Sequence, residues 1–372
     1  MKLKVLTLLG TRPEIIRLSR IISNADKVFN HILVNSMQNF DHNLNKVFFD
    51  NLKVRKPNYN LKCKNKNSIN FISNVIKEFD KILSFEKPDC VLILGDTNTG
   101  LGVLAAKKRK IPIFHLEAGN RCNDMRVPEE INRKIIDHIS DINLTYSEIA
   151  KKNLILEKFP SDRIIKVGSP LYEVLEHHTS DIENSKILER LKVKENAYFL
   201  ISSHREENLE NNKNFYTLKD TIINLIKKYK IPVIISTHPR LKKKLFKLKI
   251  NKKKFVKFNH PFDYFDYIKL QKNSKLTISD SGSIIEESNI LNFPAINFRE
   301  TTERHEGLEK GSCVISGMDI KSISQSINLI LKIKKKYKKN LHPDYKAKDL
   351  SFNVIKIIQS YTNYVNKRVW LK

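Results

Sequence analysis

Short runs of β-branched and other apolar residues alternate with amphipathic, helix-length segments from one end of the chain to the other. A strand followed by a helix returns the chain to the same edge of a sheet. A long series of such pairs therefore builds a parallel sheet covered by helices on both faces, and the expected fold class is α/β. In the first half the strand candidates are Leu3 to Leu9, His31 to Asn35, Cys90 to Leu94, Ile111 to Phe114, Ile142 to Thr145 and Ile164 to Val167. Helical patterns such as Ile69 to Phe85 and Glu129 to Ile139 separate most of them. After a helical linker, Leu171 to Leu191, a second series begins: Tyr198 to Ser202, Pro232 to Ser236, Phe255 to Phe258, Leu276 to Ser279, Ala295 to Asn297 and Cys313 to Ile315.

At 372 residues the chain exceeds what one core usually organises. Two doubly wound, Rossmann-like domains are expected, 1–168 and 169–351, facing across a cleft, with a helix over 352–372 packing back on the first. The chain is 40% hydrophobic and 29% charged, and no stretch reaches the roughly 20 consecutive apolar residues that a membrane helix needs. The first strand pattern starts at Leu3, leaving no room for a signal peptide. Cys63, Cys90, Cys122 and Cys313 are scattered, with no CxxC pair, so neither a zinc site nor a disulfide framework is indicated. A cytoplasmic location without a metal is expected. The net charge of +28 raises nucleic-acid binding, yet the lysines lack the interleaved aromatics that stack bases. A solvated basic surface is the reading adopted, with no nucleic-acid partner.

Polar residues gather just after the carboxyl ends of the expected strands, where open parallel sheets bind ligands. Gly10-Thr11-Arg12 follows the first strand, Gly95-Asp96-Thr97 the third and His115-Leu116-Glu117 the fourth; in the second half Ser203-His204-Arg205, Thr237-His238-Pro239-Arg240 and Asp280-Ser281-Gly282-Ser283 do the same. Ser281-Gly282-Ser283 leads into a helical pattern, Ile284 to Leu291, and such a helix start presents free N–H groups to an anion. A serine N-cap with a glycine easing the turn would look the same. Glu286 and Glu287 could accept a ribose diol or simply face the helix dipole. Arg12, Arg17, His204, Arg205 and Arg304 suit phosphate oxygens. Asp96, Glu117, Glu129 and Glu130 supply carboxylates for general acid–base work, although Glu129 and Glu130 after Pro128 also suit a helix start for dipole reasons alone. With neither GxGxxG nor GxxxxGK[ST] present, no NAD or nucleoside-triphosphate chemistry is indicated and no cofactor is expected.

These residues fall in six motifs: GTRPEIIRLS (10–19), GDTNTGLGVLAA (95–106), HLEAGNRCNDMRVPEEINR (115–133), SSHREEN (202–208), SDSGSIIEES (279–288) and RETTERHEG (299–307). Together, and over essentially the full length, they resemble the non-hydrolysing UDP-N-acetylglucosamine 2-epimerases. The resemblance implies the two-Rossmann architecture shared with many nucleotide-sugar glycosyltransferases, a UDP-sugar substrate and a homodimer. It puts Arg12, His204, Ser281, Gly282, Ser283, Glu287 and Arg304 on UDP, Asp96, Glu117 and Glu129 near the sugar, and Arg133 among the substrate-binding residues. Arg17, expected with His204 in the catalytic set, stands where the best-known members have lysine, and His305 replaces a usual proline. The segment Gly119 to Arg133 is shorter than in the enzymes acting on N-acetylglucosamine and resembles the subgroup that makes UDP-N-acetyl-L-fucosamine from UDP-N-acetyl-6-deoxy-L-talosamine. The implied reaction is C2 inversion by elimination of UDP and its re-addition, in capsule or O-antigen sugar biosynthesis. A glycosyltransferase of the same architecture would need an acceptor, and a hydrolysing epimerase would release free sugar.

Overall fold

The first strand, β1 (Lys4–Leu9), is an uninterrupted apolar run, as expected of a strand covered on both faces. Thr11 then stops the extension in β-type geometry and caps α1 (Arg12–Val28). The Thr11-x-x-Glu14 spacing closes a capping box: the Glu14 carboxylate accepts the Thr11 N–H at 2.7 Å and the Gly10 N–H at 2.6 Å. Pro13 fits the first turn, where its missing N–H is not needed. Ile15, Leu18, Ile22 and Ala25 repeat at three and four residues, so one face of α1 is buried. The computed structural model describes residues 2–38, 42–63, 67–203, 212–237, 239–250, 254–259, 262–333 and 341–372.

The same strand-then-helix logic continues through β2 (Asn30–Asn35), α2 (His42–Asn51), β3 (Tyr59–Asn60), α3 (Ser68–Glu86), β4 (Cys90–Leu94), α4 (Val103–Lys108), β5 (Ile113–Ala118), α5 (Pro128–Ile139), β6 (Ile142–Thr145), α6 (Glu148–Leu156), β7 (Ile164–Lys166) and α7 (Leu171–His177). These strands pair in the order β3-β2-β1-β4-β5-β6-β7, and every pairing is parallel. The order reverses between β1 and β4, which makes their carboxyl ends the switch point of the sheet. In α3, Phe71, Val75, Phe79 and Leu83 recur every four residues and pack on the sheet with Leu8, Val91 and Ile93.

A second unit follows with α8 (Thr179–Glu183), α9 (Ile187–Arg190), β8 (Phe199–Ser203), α10 (Asn212–Tyr229), β9 (Val233–Thr237), α11 (Pro239–Lys247), β10 (Val256–Asn259), α12 (Tyr264–Lys272), β11 (Leu276–Ser279), α13 (Ser283–Ile290), β12 (Ala295–Asn297), α14 (His305–Glu309), β13 (Val314–Ile315) and α15 (Ile320–Ile333). Its sheet is also all parallel, in the order β10-β9-β8-β11-β12-β13. Phe199, Ile201, Ile235, Ile278 and Ile296 from the strands meet Leu218, Ile222 and Ile323 from α10 and α15 in its core.

The last helix, α16 (Leu350–Arg368), belongs to the first unit. It packs on α1, where Asn24 Nδ2 donates to Ser351 Oγ at 2.8 Å, while the Ser351 N–H donates to Glu173 of α7. The compact units are Met1–His177 with Pro343–Lys372, and His178–His342. They divide later than the 168/169 boundary read from sequence and earlier than 351/352. The reason is local: α7 packs on α1, and Asp344 takes Lys166 and the N–H of Glu148, while its carbonyl takes the N–H of Ser169. Two-residue β3 was not expected, being too short for any periodicity to register.

Two stability experiments follow. Replacing Ile358, 1% exposed on α16, by alanine is expected to cost about 3 kcal/mol in urea unfolding. Burial lifts the Glu14 carboxyl from 4.5 to about 7, against hydrogen bonds from Thr97, Gly10 and Thr11 that pull it down. Below pH 4.5 the group is protonated in both folded and unfolded states and has no effect. As pH rises from there to about 7 the unfolded chain ionises first, so stability falls, by about 3 kcal/mol at 1.4 kcal/mol per tenfold change in proton affinity. A Glu14→Gln protein should lack this component, so its stability relative to wild type should climb across that window; a constant difference at all pH values would contradict it.

Candidate active site

The residues singled out in the first unit lie at the carboxyl ends of β1, β4 and β5 and on the helices α1 and α5. Gly10 lies where any Cβ would meet Ser36 Oγ at 2.0 Å and Thr99 Oγ1 at 2.4 Å, so the turn after β1 is pressed against the ends of β2 and β4. Ser36 and Thr99 hydroxyls bond at 2.6 Å, and Thr97 Oγ1 donates to Glu14 at 2.6 Å. Glu14 thus joins the β1 turn to the β4 loop. Arg12, the first residue of α1, has its guanidinium 5.7 Å from the ring centre of Phe48.

Asp96 is delivered by Gly95, whose φ of +77° is a conformation only glycine takes without strain. Its carboxylate is held by Arg133 through Nη2 at 2.6 Å and Nε at 3.1 Å, and its carbonyl accepts Asn132 Nδ2 at 2.9 Å. Arg133 is 4% exposed, and its Nη1 also donates to Glu130, which is fully buried. Asp96, Arg133 and Glu130 therefore form one ionic triad. The guanidinium expected on the substrate is engaged here by two carboxylates. Glu129 stands beside Glu130 in the first turn of α5, half-buried.

His115-Leu116-Glu117 does not follow β5, as the sequence reading had it, but lies inside it. The strand runs on to Ala118 because pairing with β6 resumes there after a register shift between Leu116 and Ala118. Glu117 is the extra residue of that bulge, with φ at +73°. A non-glycine side chain held this way is strained, and bulges re-aim side chains beside functional sites. The Glu117 carboxylate lies 3.8 Å from Nε of Arg17, which is 4% exposed, stacks 5.7 Å from the Tyr146 ring centre and reaches Ser169 Oγ at 3.5 Å.

The buried carboxyls of this unit separate by the charge of their donors. Glu14 accepts only neutral N–H and O–H groups, which do not offset burial, and it rises to about 7. Burial pushes Glu130 up as well, but the Cys122 and Asn123 N–H groups and the Arg133 guanidinium outweigh it and hold the carboxyl below its ordinary range. Asp137 behaves the same way: His115 and Arg121 more than offset its complete burial.

In the second unit the strand-end motif Asp280-Ser281-Gly282-Ser283 leaves β11 and opens α13. Ser203 Oγ donates to Asp280 at 2.8 Å, Asn297 Nδ2 donates to the Ser281 carbonyl at 2.8 Å, and the Ser281 and Ser283 hydroxyls bond at 2.9 Å. Ser281, Gly282 and Ser283 are half-buried at the helix start, a position that suits an anion, and a Cβ on Gly282 would meet the Glu303 carboxylate at 2.3 Å and Arg299 Nη1 at 3.2 Å. Glu286 and Arg304, both buried, pair at 3.1 Å. Glu287 accepts Gln271 Nε2 at 2.6 Å. His204 and Arg205 lie outside the described residues.

Sequence reasoning assigned no role to Glu14, His115, Arg121 or Asp137. Glu14 could have been found from its capping-box spacing. The others meet only through the fold: His115 is on β5, Asp137 on α5 and Arg121 on the loop between them. Among the described residues no group of three or more His, Cys, Asp or Glu could hold a metal ion, and no helix is long and apolar enough to cross a membrane.

Comparison with known proteins bears on the chain as a whole. A family model described as UDP-N-acetylglucosamine 2-epimerase matches residues 22–359. A UDP-N-acetylglucosamine 2-epimerase of Methanocaldococcus jannaschii is 36% identical, over 90% of this chain and 94% of its own. The solved structure of a UDP-N-acetylglucosamine 2-epimerase from Rickettsia bellii superposes with a TM-score of 0.94 at 46% identity, covering 100% of both chains. A Methanocaldococcus jannaschii UDP-GlcNAc 2-epimerase solved in complex with UDP-GlcNAc and UDP gives 0.89 at 33% identity, over 96% of this chain and 99% of that one. With the family model matching residues 22–359, strands of both sheets among them, this chain belongs to the UDP-N-acetylglucosamine 2-epimerase family.

Proposed function

We propose that this chain inverts C2 of a UDP-activated N-acetylhexosamine. The observation that carries the reading is the placement of two carboxylates on neighbouring strands of the first sheet: Asp96 on the turn after β4 and Glu117 on the bulge of β5, the latter beside Arg17. Relatives in the family are named for this activity, and one solved relative holds UDP-GlcNAc and UDP.

The C2 proton of a 2-acetamido sugar has no neighbouring carbonyl to acidify it, so its removal must be coupled to loss of the group on C1. A carboxylate of the set Asp96, Glu117 and Glu129 takes the C2 proton, the C–H electrons form the C1=C2 bond, and the C1–O bond breaks with its electron pair leaving on UDP. Arg12, His204, Arg304 and the start of α13 stabilise the charge that develops on the diphosphate. Ser281, Gly282, Ser283 and Glu287 hold the nucleotide, with Arg133 acting on the substrate through its grip on Asp96. Protonation of C2 on the opposite face and return of UDP to C1 complete the inversion, so atoms balance without a cofactor. Arg17 fixes Glu117 in place. A homodimer in the cytoplasm is the working assembly and location.

UDP-N-acetylglucosamine is the substrate to which the relatives' names point. The Gly119 to Arg133 segment favours a second one, UDP-N-acetyl-6-deoxy-L-talosamine, and with it the UDP-N-acetyl-L-fucosamine branch of capsule or O-antigen biosynthesis. Incubating the protein with each substrate in deuterium oxide, followed by proton NMR, tests both points. The epimer should carry deuterium at C2, with no acceptor needed and no free sugar accumulating; product that retains its original hydrogen would eliminate proton removal. Faster turnover of the deoxy sugar supports the branch assignment, and its inertness removes that assignment. Glu117→Gln should lower kcat by about 1,000-fold while UDP affinity stays within about twofold of wild type; equal losses in both would deny Glu117 a part in the chemistry.

A further inference from the structure

The two carboxylates that this proposal uses are not held by their own contacts alone. Behind them runs a buried ionic chain that the mechanism does not employ. His115 is completely buried in β5, two residues before the bulge. Its Nε2 lies 2.8 Å from the carbonyl of Gly95, the residue that turns the chain into Asp96. Its Nδ1 lies 2.8 Å from Oδ1 of Asp137, which is also completely buried. Asp137 in turn accepts the Gly119 N–H at 3.1 Å and Arg121 Nη1 at 2.7 Å. Arg121 passes the chain outward to Glu157 through Nε at 2.7 Å and Nη2 at 2.6 Å.

Two backbone segments are therefore clamped by one pair of side chains. His115 grips the Gly95 peptide, and Asp137 grips Gly119, two residues beyond the strained Glu117. The Gly95 N–H donates to the Leu116 carbonyl at 2.9 Å, so the two segments are also joined directly. Burying a carboxylate, a guanidinium and an imidazole together is costly unless each finds partners, and simple packing could be achieved with apolar residues. The pair binds the backbone at two glycines in left-handed conformations, Gly95 at φ +77° before Asp96 and Gly119 at φ +80° just past the Glu117 bulge.

We propose that His115 and Asp137 are positioning residues for C2 proton transfer, fixing the separation and aim of Asp96 and Glu117 without touching substrate. The inference rests on the epimerase reading above. A shift of about 1 Å in a reacting group costs about 100-fold in rate, whereas substrate held elsewhere binds as before.

The test uses the full chain with Asp137→Asn and, separately, His115→Gln. Wild type is assayed first on both UDP-sugars for C2 deuterium exchange; no exchange on either would sink the epimerase reading itself. Given exchange in wild type, each variant that retains the wild-type circular dichroism spectrum and its affinity for UDP should show kcat and C2 exchange lowered by about 100-fold, with KM within about threefold. A folded variant that turns over within about threefold of wild type would overturn the inference. So would parallel loss of UDP affinity and activity, or failure of both variants to fold, because each would assign the pair to the scaffold alone.

Discussion

Buried carboxylates that accept backbone N–H groups hold the carboxyl edge of the first sheet in shape. Glu14 takes the N–H groups of Gly10 and Thr11, Glu130 those of Cys122 and Asn123, and Asp137 that of Gly119. Loops leaving a parallel sheet have no ladder to satisfy their N–H groups, and an unmet buried donor is expensive. A side-chain oxygen anchored on a helix meets that demand at a fixed point. The start of α1 and the loop that follows the Glu117 bulge are both shaped in this way. Glu130 and Asp137 have cationic partners as well, while Glu14 has none among its hydrogen-bond donors and is the one whose proton affinity rises.

Much of the fold was legible because parallel strands covered on both faces are continuous apolar runs. Cys90 to Leu94, Ile142 to Thr145, Leu276 to Ser279 and Ala295 to Asn297 were read with the observed ends. β5 was not, since its strand passes through the polar residues His115 and Glu117, and nothing local signals that pairing resumes at Ala118. The unit boundaries moved for a similar reason. Asp344 binds back to Glu148, Lys166 and Ser169, contacts between residues far apart in sequence that leave no periodic trace.

The candidate site was legible as a list of residue types and much less so as a set of partnerships. Arg304 read as a phosphate ligand because guanidinium groups near strand ends often are, and Arg133 as a substrate-binding residue from the resemblance. In the folded chain they lie against Asp96, Glu130 and Glu286, all within their own units. Those carboxylates came from the same motifs, so composition at the strand ends was read correctly while its internal neutralisation was not. Spacing within a motif shows which elements carry charge, and the third dimension decides which charges meet.

The covering helix α16 sits at the far end of the chain from the sheet it protects, separated from α7 by the whole of the second unit. On a ribosome making about 5 to 20 residues per second, the second unit would take roughly ten to thirty seconds to emerge. Through that interval the groove on α1 that receives α16 faces water, and Asn24 lacks Ser351. The nascent first half is thus an open-faced intermediate until α16 emerges and covers α1.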